Sequence, residues 1–137
     1  MNRSAARALT VSTIDALDLF DHVLGYEPDS FLDLDEPRQA VACVYAKSLE
    51  VVNQALRLYD TPCELWVQVY LERTAGSEAA IEAQLDALIP AAMSALWALD
   101  DVLAIDGSSA GYTTRPRDKL AYRVERFAVR FDDPRGS

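Results

Sequence analysis

The sequence is poor in the side chains from which metal sites and covalent active sites are usually built. Its 137 residues include two cysteines, Cys43 and Cys63, and a single histidine, His22. Two cysteines are too few for a disulfide scaffold, so we expect two reduced, partly buried thiols that pack as small apolar groups. One histidine gives little material for a Ser–His–acid triad or a histidine-rich metal site. We expect His22 near the end of an N-terminal helix, in a capping or surface role.

Basic charge and phosphate-binding loops are also scarce. The formal net charge of −9 argues against a general nucleic-acid-binding protein, which needs a basic surface. Neither the GxxxxGK-S/T nor the GxGxxG motif occurs, and Asp29, Asp33 and Asp35 lack the spacing and the glycine of an EF-hand. The sequence therefore predicts no catalytic residue, no cofactor and no metal site.

No apolar segment reaches the length of about 20 residues that a membrane-spanning helix needs. Polar residues interrupt the N-terminal segment, so it lacks the apolar stretch of a signal peptide. We expect no membrane partner and a protein that stays in the cytoplasm of the cell that makes it. Half of the residues are hydrophobic and 26% are charged, which predicts one globular domain over residues 1–137, with a frayed tail at 132–137.

Three segments have clear apolar patterns. Apolar and polar residues alternate in Cys63–Glu72, which predicts a strand with one apolar face. The segment 77–99 has helical spacing, with Ser77 as the N-cap and Pro90 as a kink inside one continuous helix. The nearly all-apolar segment 39–46 predicts a central strand that is buried on both faces.

Four other segments are less regular. Residues 4–24 have an apolar stripe at helical spacing and are predicted to form a helix. The Pro-containing segment 26–37 is predicted to be an acidic loop, and its apolar residues would allow it to pack. Residues 49–58 fit either a strand or a short helix, and a strand is preferred. Residues 106–118 fit a loop or the tip of a long hairpin.

The last predicted strand covers residues 119–131. Its apolar residues alternate, but they change parity near Glu125 and Arg126, which predicts a β-bulge or a bend. Together these elements predict an α+β fold, in which one mostly antiparallel or mixed sheet of about four strands packs against two helices.

Opposite charges are concentrated in two segments. The loop at 26–37 contains no basic residue and five acidic ones: Glu27, Asp29, Asp33, Asp35 and Glu36. The segment 113–131 contains six of the thirteen basic residues: Arg115, Arg117, Lys119, Arg123, Arg126 and Arg130. These segments could be ordinary solvated surfaces of a monomer. Alternatively, a head-to-tail ring could match them between neighbouring subunits.

The ring alternative predicts specific interface residues. The acidic residues expected at the contact are Asp29, Asp33, Asp35 and Glu36, and the basic residues expected on the next subunit are Arg115, Arg117 and Arg123. The large aromatic residues Trp66, Tyr70 and Trp97 are either part of the core or anchors of an interface, where Trp and Tyr are enriched.

The order of these motifs resembles the tail terminator, or tail-completion, proteins of long-tailed bacteriophages. An N-terminal helix and an acidic loop precede the strands EPRQAVACVY and ELWVQVYLER; the proline-containing helix SEAAIEAQLDALIPAAMSAL, the segment SAGYTTRPRD and the strand LAYRVERFAVRF follow. The resemblance extends over residues 4–132. Residues 47–61 depart from the family's pattern.

The resemblance implies a non-enzymatic virion protein that forms a homohexameric ring on the last ring of tail tube protein. Such a ring stops tube polymerisation and presents a surface to the head-completion or connector protein, at the head-proximal end of the tail. DNA passes through its lumen without specific binding. The alternatives are another phage neck or tail-tube component, or a small cytoplasmic enzyme or ligand-binding domain.

Overall fold

A mixed β-sheet forms the centre of the fold. The computed structural model describes residues 3–46, 63–73, 76–107, 110–115 and 120–132. The elements in chain order are α1 (Arg3–Asp15), β1 (His22–Leu24), a 3-10 helix η1 (Phe31–Asp33), β2 (Ala40–Ala46), β3 (Cys63–Glu72), α2 (Glu78–Trp97), β4 (Val102–Asp106), β5 (Ala110–Arg115) and β6 (Leu120–Phe131).

The strands follow the order β1–β2–β3–β6–β4, and β5 also pairs with β6. Because β3 occupies one side of β6, β4 and β5 share the other side end to end, so that six strands fill five positions. Only β1 and β2 are parallel among these pairs. The predicted α+β fold with one mixed sheet and two helices is confirmed, although the sheet has more strands than the four expected.

The first helix is shorter than predicted. It ends at Asp15, and Asp18 adopts a φ of 55°, outside the helical region. The Asp21 carboxylate then accepts hydrogen bonds from the backbone N–H groups of Gln39 and Ala40, each at 2.9 Å. These bonds hold the segment beside β2, so residues at 22–24 form the strand β1 instead of a last helical turn. Pairing with a distant strand outweighs the local helical spacing here.

Helices α1 and α2 cover one face of the sheet, which we call the helix face. The side chains buried there include Ala42, Val44, Leu65, Val67, Val69, Leu71, Phe127, Val129 and Phe131 from the strands and Ile14, Ile81, Leu85, Leu88, Ala92 and Leu96 from the helices. Helix α2 starts at the predicted N-cap, since the Ser77 hydroxyl accepts from Ala80 N at 3.2 Å, and it continues through Pro90 as predicted. By length and composition alone α2 could cross a membrane, but core helices pass the same test, and its apolar stripe packs on the sheet.

The central strands agree with their predictions. β3 has the predicted bounds, and its odd-numbered residues are buried on the helix face. β2 is buried on both faces over its first five residues. Cys43 and Cys63 are buried and are not part of a disulfide, which confirms the expected pair of packed thiols.

The β-bulge expected in the last strand is absent. β6 pairs with β3 in one unbroken register, from Tyr122 opposite Glu72 to Phe131 opposite Cys63. The parity changes because β6 is apolar on opposite faces at its two ends: Phe127 packs under the helices, whereas Tyr122 packs on the other face. A register shift occurs instead between β4 and β6.

The segment predicted as a loop or a hairpin tip is mostly extended. Strand β5 pairs antiparallel with β6, from Ala110 opposite Glu125 to Arg115 opposite Leu120, so residues 110–115 form an arm of a hairpin and not its tip. The neighbouring strand β4 was not predicted. The ambiguous segment 49–58 and the tail at 133–137 lie outside the described residues.

Candidate functional site

The face of the sheet opposite the helices, here the second face, has an aromatic cluster at one end. The ring of Phe31, from η1, lies edge-on to Tyr70 and Tyr122, with centroids 5.0 and 5.5 Å away, and these two tyrosines are themselves 5.9 Å apart. Edge-to-face contacts of this kind add about 0.5–1.5 kcal/mol each beyond burial. The Ser30 hydroxyl accepts from Leu32 N at 3.1 Å and caps η1. The segment 26–37, the acidic loop, is therefore packed on the sheet.

A chain of hydrogen bonds joins β2, β3 and the acidic loop across the second face. Tyr45 Oη donates to Gln68 Oε1 at 2.6 Å, Gln68 Nε2 donates to Tyr70 Oη at 2.7 Å, and Tyr70 Oη donates to Glu27. Burial, and then repulsion from Glu27, raise the pKa of Tyr45. Tyr70 is only 3% exposed, and its ring belongs to the aromatic cluster, which favours the core alternative over the interface alternative for this residue.

The other end of the second face carries an arginine surface, which we define as Trp66, Arg126 and Arg130. The Arg126 guanidinium lies 4.2 Å from the centroid of the Trp66 ring, within the range of a cation–π contact. Arg130 is four residues further along β6 and lies on the same face, because alternate residues of a strand share a face. In the described part of the chain the Nε atoms of both arginines are buried without a hydrogen-bond partner.

Arg123 lies on the opposite face of the sheet. Its Nε donates to Glu82 Oε1 of α2 at 2.8 Å, its Nη1 donates to the carbonyl oxygen of Gly111 at 2.9 Å, and its side chain is only 12% exposed. This arginine is already neutralised within the chain, which weakens its predicted role at a subunit contact. The backbone of Arg115 pairs with Leu120 at the end of β5, and Arg117 lies outside the described residues. The single basic patch expected from the sequence is thus divided between two faces.

The acidic loop presents its carboxylates outward. Asp29, Asp33 and Asp35 are exposed, and their carboxylates form no ion pair with any described residue, whereas Glu36 lies 3.3 Å from Arg38 Nη2. The loop is tied back to the sheet by His22, whose Nε2 lies 2.6 Å from the Asp35 carbonyl oxygen. His22 belongs to β1 and not to the end of a helix, so the capping role predicted for it is wrong.

Arg126 and Arg130 belong to the basic segment 113–131, but they are not among the interface residues predicted from the sequence. Their position could have been found from strand parity, because residues 126 and 130 are even-numbered and 123 is odd-numbered in one extended strand. The burial of their Nε atoms depends on neighbouring strands, and no local pattern predicts it.

Metal-binding clusters and cavities are the other places where a site could lie. Over the described ranges no group of three or more His, Cys, Asp or Glu side chains could hold a metal ion. A cavity of about 550 Å³ beside the start of β2 is lined by Glu36, Pro37, Arg38, Gln39, Glu72 and Leu120. These lining residues include no serine, cysteine or histidine that could act as a nucleophile or a neutral base.

Large apolar side chains are exposed at both edges of the sheet. Leu19 and Tyr26 flank the edge strand β1, Leu103 lies in the edge strand β4, and Trp97 and Leu32 lie at the end of α2 and in η1. Trp97 is 59% exposed, which makes it the most exposed of the three aromatic residues selected from the sequence, since Trp66 is half-buried and Tyr70 is buried. No protein-family model matches the chain, and no curated protein is significantly similar to it.

Proposed function

We propose that this chain is a virion structural protein that forms a homohexameric ring, caps the tail tube of a long-tailed bacteriophage and presents a joining surface to the head-completion or connector protein. The order of elements supports this proposal: an N-terminal helix, strands β2 and β3, a helix with an internal proline and a terminal strand follow one another. The function is binding and capping, without bond chemistry or a cofactor.

The observation that carries the proposal is the charge distribution on the second face. The acidic loop has three exposed carboxylates without an ion pair among the described residues, and the arginine surface has two guanidinium groups with buried, unpartnered Nε atoms. Most buried polar atoms in folded proteins have a hydrogen-bond partner, so these two Nε atoms are exceptions. Separate acidic and basic surfaces can neutralise each other between neighbouring subunits, so their presence on one chain supports an assembly subunit.

The proposed ring has tail tube protein on one side and the head-completion protein on the other. It would be assembled in the host cytoplasm and would remain at the head-proximal end of the virion tail. DNA would pass through the lumen without specific binding, and the net charge of −9 would keep it from adhering.

Electron microscopy of purified tail tubes mixed with this protein tests the proposal. We expect a ring at one end of each tube and no further addition of tube protein at that end. Tubes that stay open and continue to grow would contradict it. Polymerisation of the protein into tubes of its own would instead indicate a tail-tube component, and tight binding of a small polar ligand in the cavity beside Glu72, without rings, would indicate a ligand-binding domain.

A further inference from the structure

We infer that the arginine surface is a carboxylate-binding site and that its occupant is the acidic loop of a second copy of this chain. The inference rests on the proposed function, because it names the contact through which neighbouring subunits would associate. It replaces the basic partners Arg115, Arg117 and Arg123 with Arg126 and Arg130, whose side chains the structure describes on the same face as the acidic loop.

The arginine surface is arranged to receive an anion. Trp66 fixes the guanidinium of Arg126 at 4.2 Å from its ring, which lowers the entropy that the arginine loses when it binds. Arg130 lies opposite Glu64 in the β3–β6 pairing, and its Nε is buried without a hydrogen-bond partner among the described residues. A carboxylate can accept two parallel N–H bonds from a guanidinium. The side chains of Arg126 and Arg130 are only half-buried, so an incoming carboxylate can bond the guanidinium of either one.

The acidic loop of the same chain cannot supply this carboxylate where it lies. Phe31 holds the loop over Tyr70, and Trp66 is four residues away along β3, a distance of about 13 Å at the usual rise of an extended strand. The carboxylates of Asp29, Asp33 and Asp35 form no ion pair with the described residues, although they are exposed. One chain therefore has both halves of an ionic contact, separated along one face of its sheet.

A second copy brings the two halves together. Two acidic loops repel each other, as do two arginine surfaces, whereas an acidic loop attracts an arginine surface. Neighbouring copies are therefore oriented with the acidic loop of one against the arginine surface of the other. If the copies are related head to tail, each makes one such contact with each neighbour, and closure gives a ring. If they are related by a two-fold axis, the same contact occurs twice and assembly stops at a dimer.

Cross-linking tests this contact at residue level. We would mix Asp33→Cys protein with Arg130→Cys protein under mild oxidation, at high concentration and also on tail tubes. Both positions lie on the second face and the native cysteines are buried, so we expect a disulfide-linked dimer from the mixture. Arg3→Cys, on the exposed start of α1, replaces Arg130→Cys in the control and should give no product with Asp33→Cys.

Charge reversal provides an independent test by sedimentation. Arg130→Glu should weaken self-association about tenfold, because juxtaposed like charges at an interface are strongly unfavourable. Asp33→Lys in the same chain should recover most of that loss. Arg3→Glu makes the same charge change on α1 and should leave the association constant within about twofold, as expected for an exposed charge outside the contact. Far-ultraviolet circular dichroism of each variant would establish that it is folded.

The outcomes separate this inference from the proposed function. Rings that form without a 33–130 cross-link, and that tolerate Arg130→Glu, would overturn the inference and leave the capping function intact. A cross-linked dimer that never becomes a ring or binds tubes would support the contact and overturn the capping function. The inference would also be overturned if the protein does not associate under any condition. The same holds if it binds duplex DNA, if Arg130→Glu abolishes that binding, and if no 33–130 cross-link forms.

Discussion

The two faces of the sheet differ in what covers them. On the helix face, strand side chains such as Leu65 and Phe127 are fully buried under two helices. On the second face, within the described ranges, Phe31 from a loop covers the end that contains Tyr70 and Tyr122, and the arginine surface at the other end is half-buried. The helix face therefore contains the larger core, whereas the second face combines a small core with a surface that is suited to a partner.

The small core of the second face should depend strongly on one loop residue, Phe31. Phe31→Ala should lower the free energy of unfolding by about 3–5 kcal/mol, the range for removing a fully buried aromatic ring, because Phe31 is 0% exposed between two tyrosines. Urea unfolding measures the change. Leu32→Ala, in the same turn but 47% exposed, is the matched control and should change stability by less than about 0.5 kcal/mol. Equal effects of the two substitutions would show that the second face has no core of its own.

A smaller effect on the free energy of unfolding is expected at the start of β2. Asp21→Ala removes a carboxylate that accepts two backbone hydrogen bonds at the start of β2. We expect a loss of about 1–2 kcal/mol, because these bonds are charge-assisted but Asp21 is exposed to solvent. Amide hydrogen exchange at Gln39 and Ala40 should also become faster. Asp29→Ala is the control, and unchanged exchange in Asp21→Ala would mean that β1 is held by strand pairing alone.

The helix face could be predicted from sequence because its determinants are local. The alternation of β3 and the helical spacing of α2 appear within 10 and 20 consecutive residues, and both elements were found with nearly correct bounds. The segment 16–24 was misread as helix because its apolar spacing is compatible with one. What prevents a helix there is the contact of Asp21 with β2, whose first residues are 18 and 19 positions away in the sequence.

The second face could not be predicted in the same way. The change of apolar parity in β6 indicated a bulge only under the assumption that a single face of the strand is buried. Both faces are buried in part, by the helices near Phe127 and by the acidic loop near Tyr122, so a regular strand has the same pattern. The arginines are close together in the sequence, which suggested a single basic patch. In the structure Arg123 lies on one face of the sheet and Arg126 on the other.

The cation–π contact at the arginine surface should have a modest energy. A double-mutant cycle of Trp66→Leu and Arg126→Gln should give a coupling energy of about 0.5–1 kcal/mol, typical of a half-exposed pair, because the guanidinium lies 4.2 Å from the ring centroid. Urea unfolding of the four proteins measures it. A matched cycle of Trp66→Leu with Arg123→Gln should give coupling near zero, since Arg123 bonds to Glu82 on the helix face. Comparable coupling in both cycles would contradict the division of the arginines between faces.

The smallest expected effect is a pH dependence that arises on the helix face. Glu125 shares that face of β6 with Arg123, because the two residues alternate with Arg126 along an unbroken strand. Burial raises the pKa of Glu125 above its ordinary value of 4.5; Arg123 opposes this shift, and Glu82 and Asp86 add to it. The folded chain therefore binds this proton more strongly than the unfolded chain does. The resulting contribution to stability is present at low pH and is lost as the pH rises from 4.5 through the raised pKa.

Glu125→Gln replaces the carboxyl with a neutral group of the same shape, so the stability of this variant relative to wild type should increase as the pH rises. Urea unfolding over about pH 4 to 8 would measure the difference between the two proteins. Asp29→Asn, at an exposed carboxylate on the second face, controls for the general effect of removing one negative charge. A difference between Glu125→Gln and wild type that stays constant with pH, or that falls as the pH rises, would show that the carboxyl of Glu125 is not held near Glu82 and Asp86 in the desolvated position that the strand register gives it.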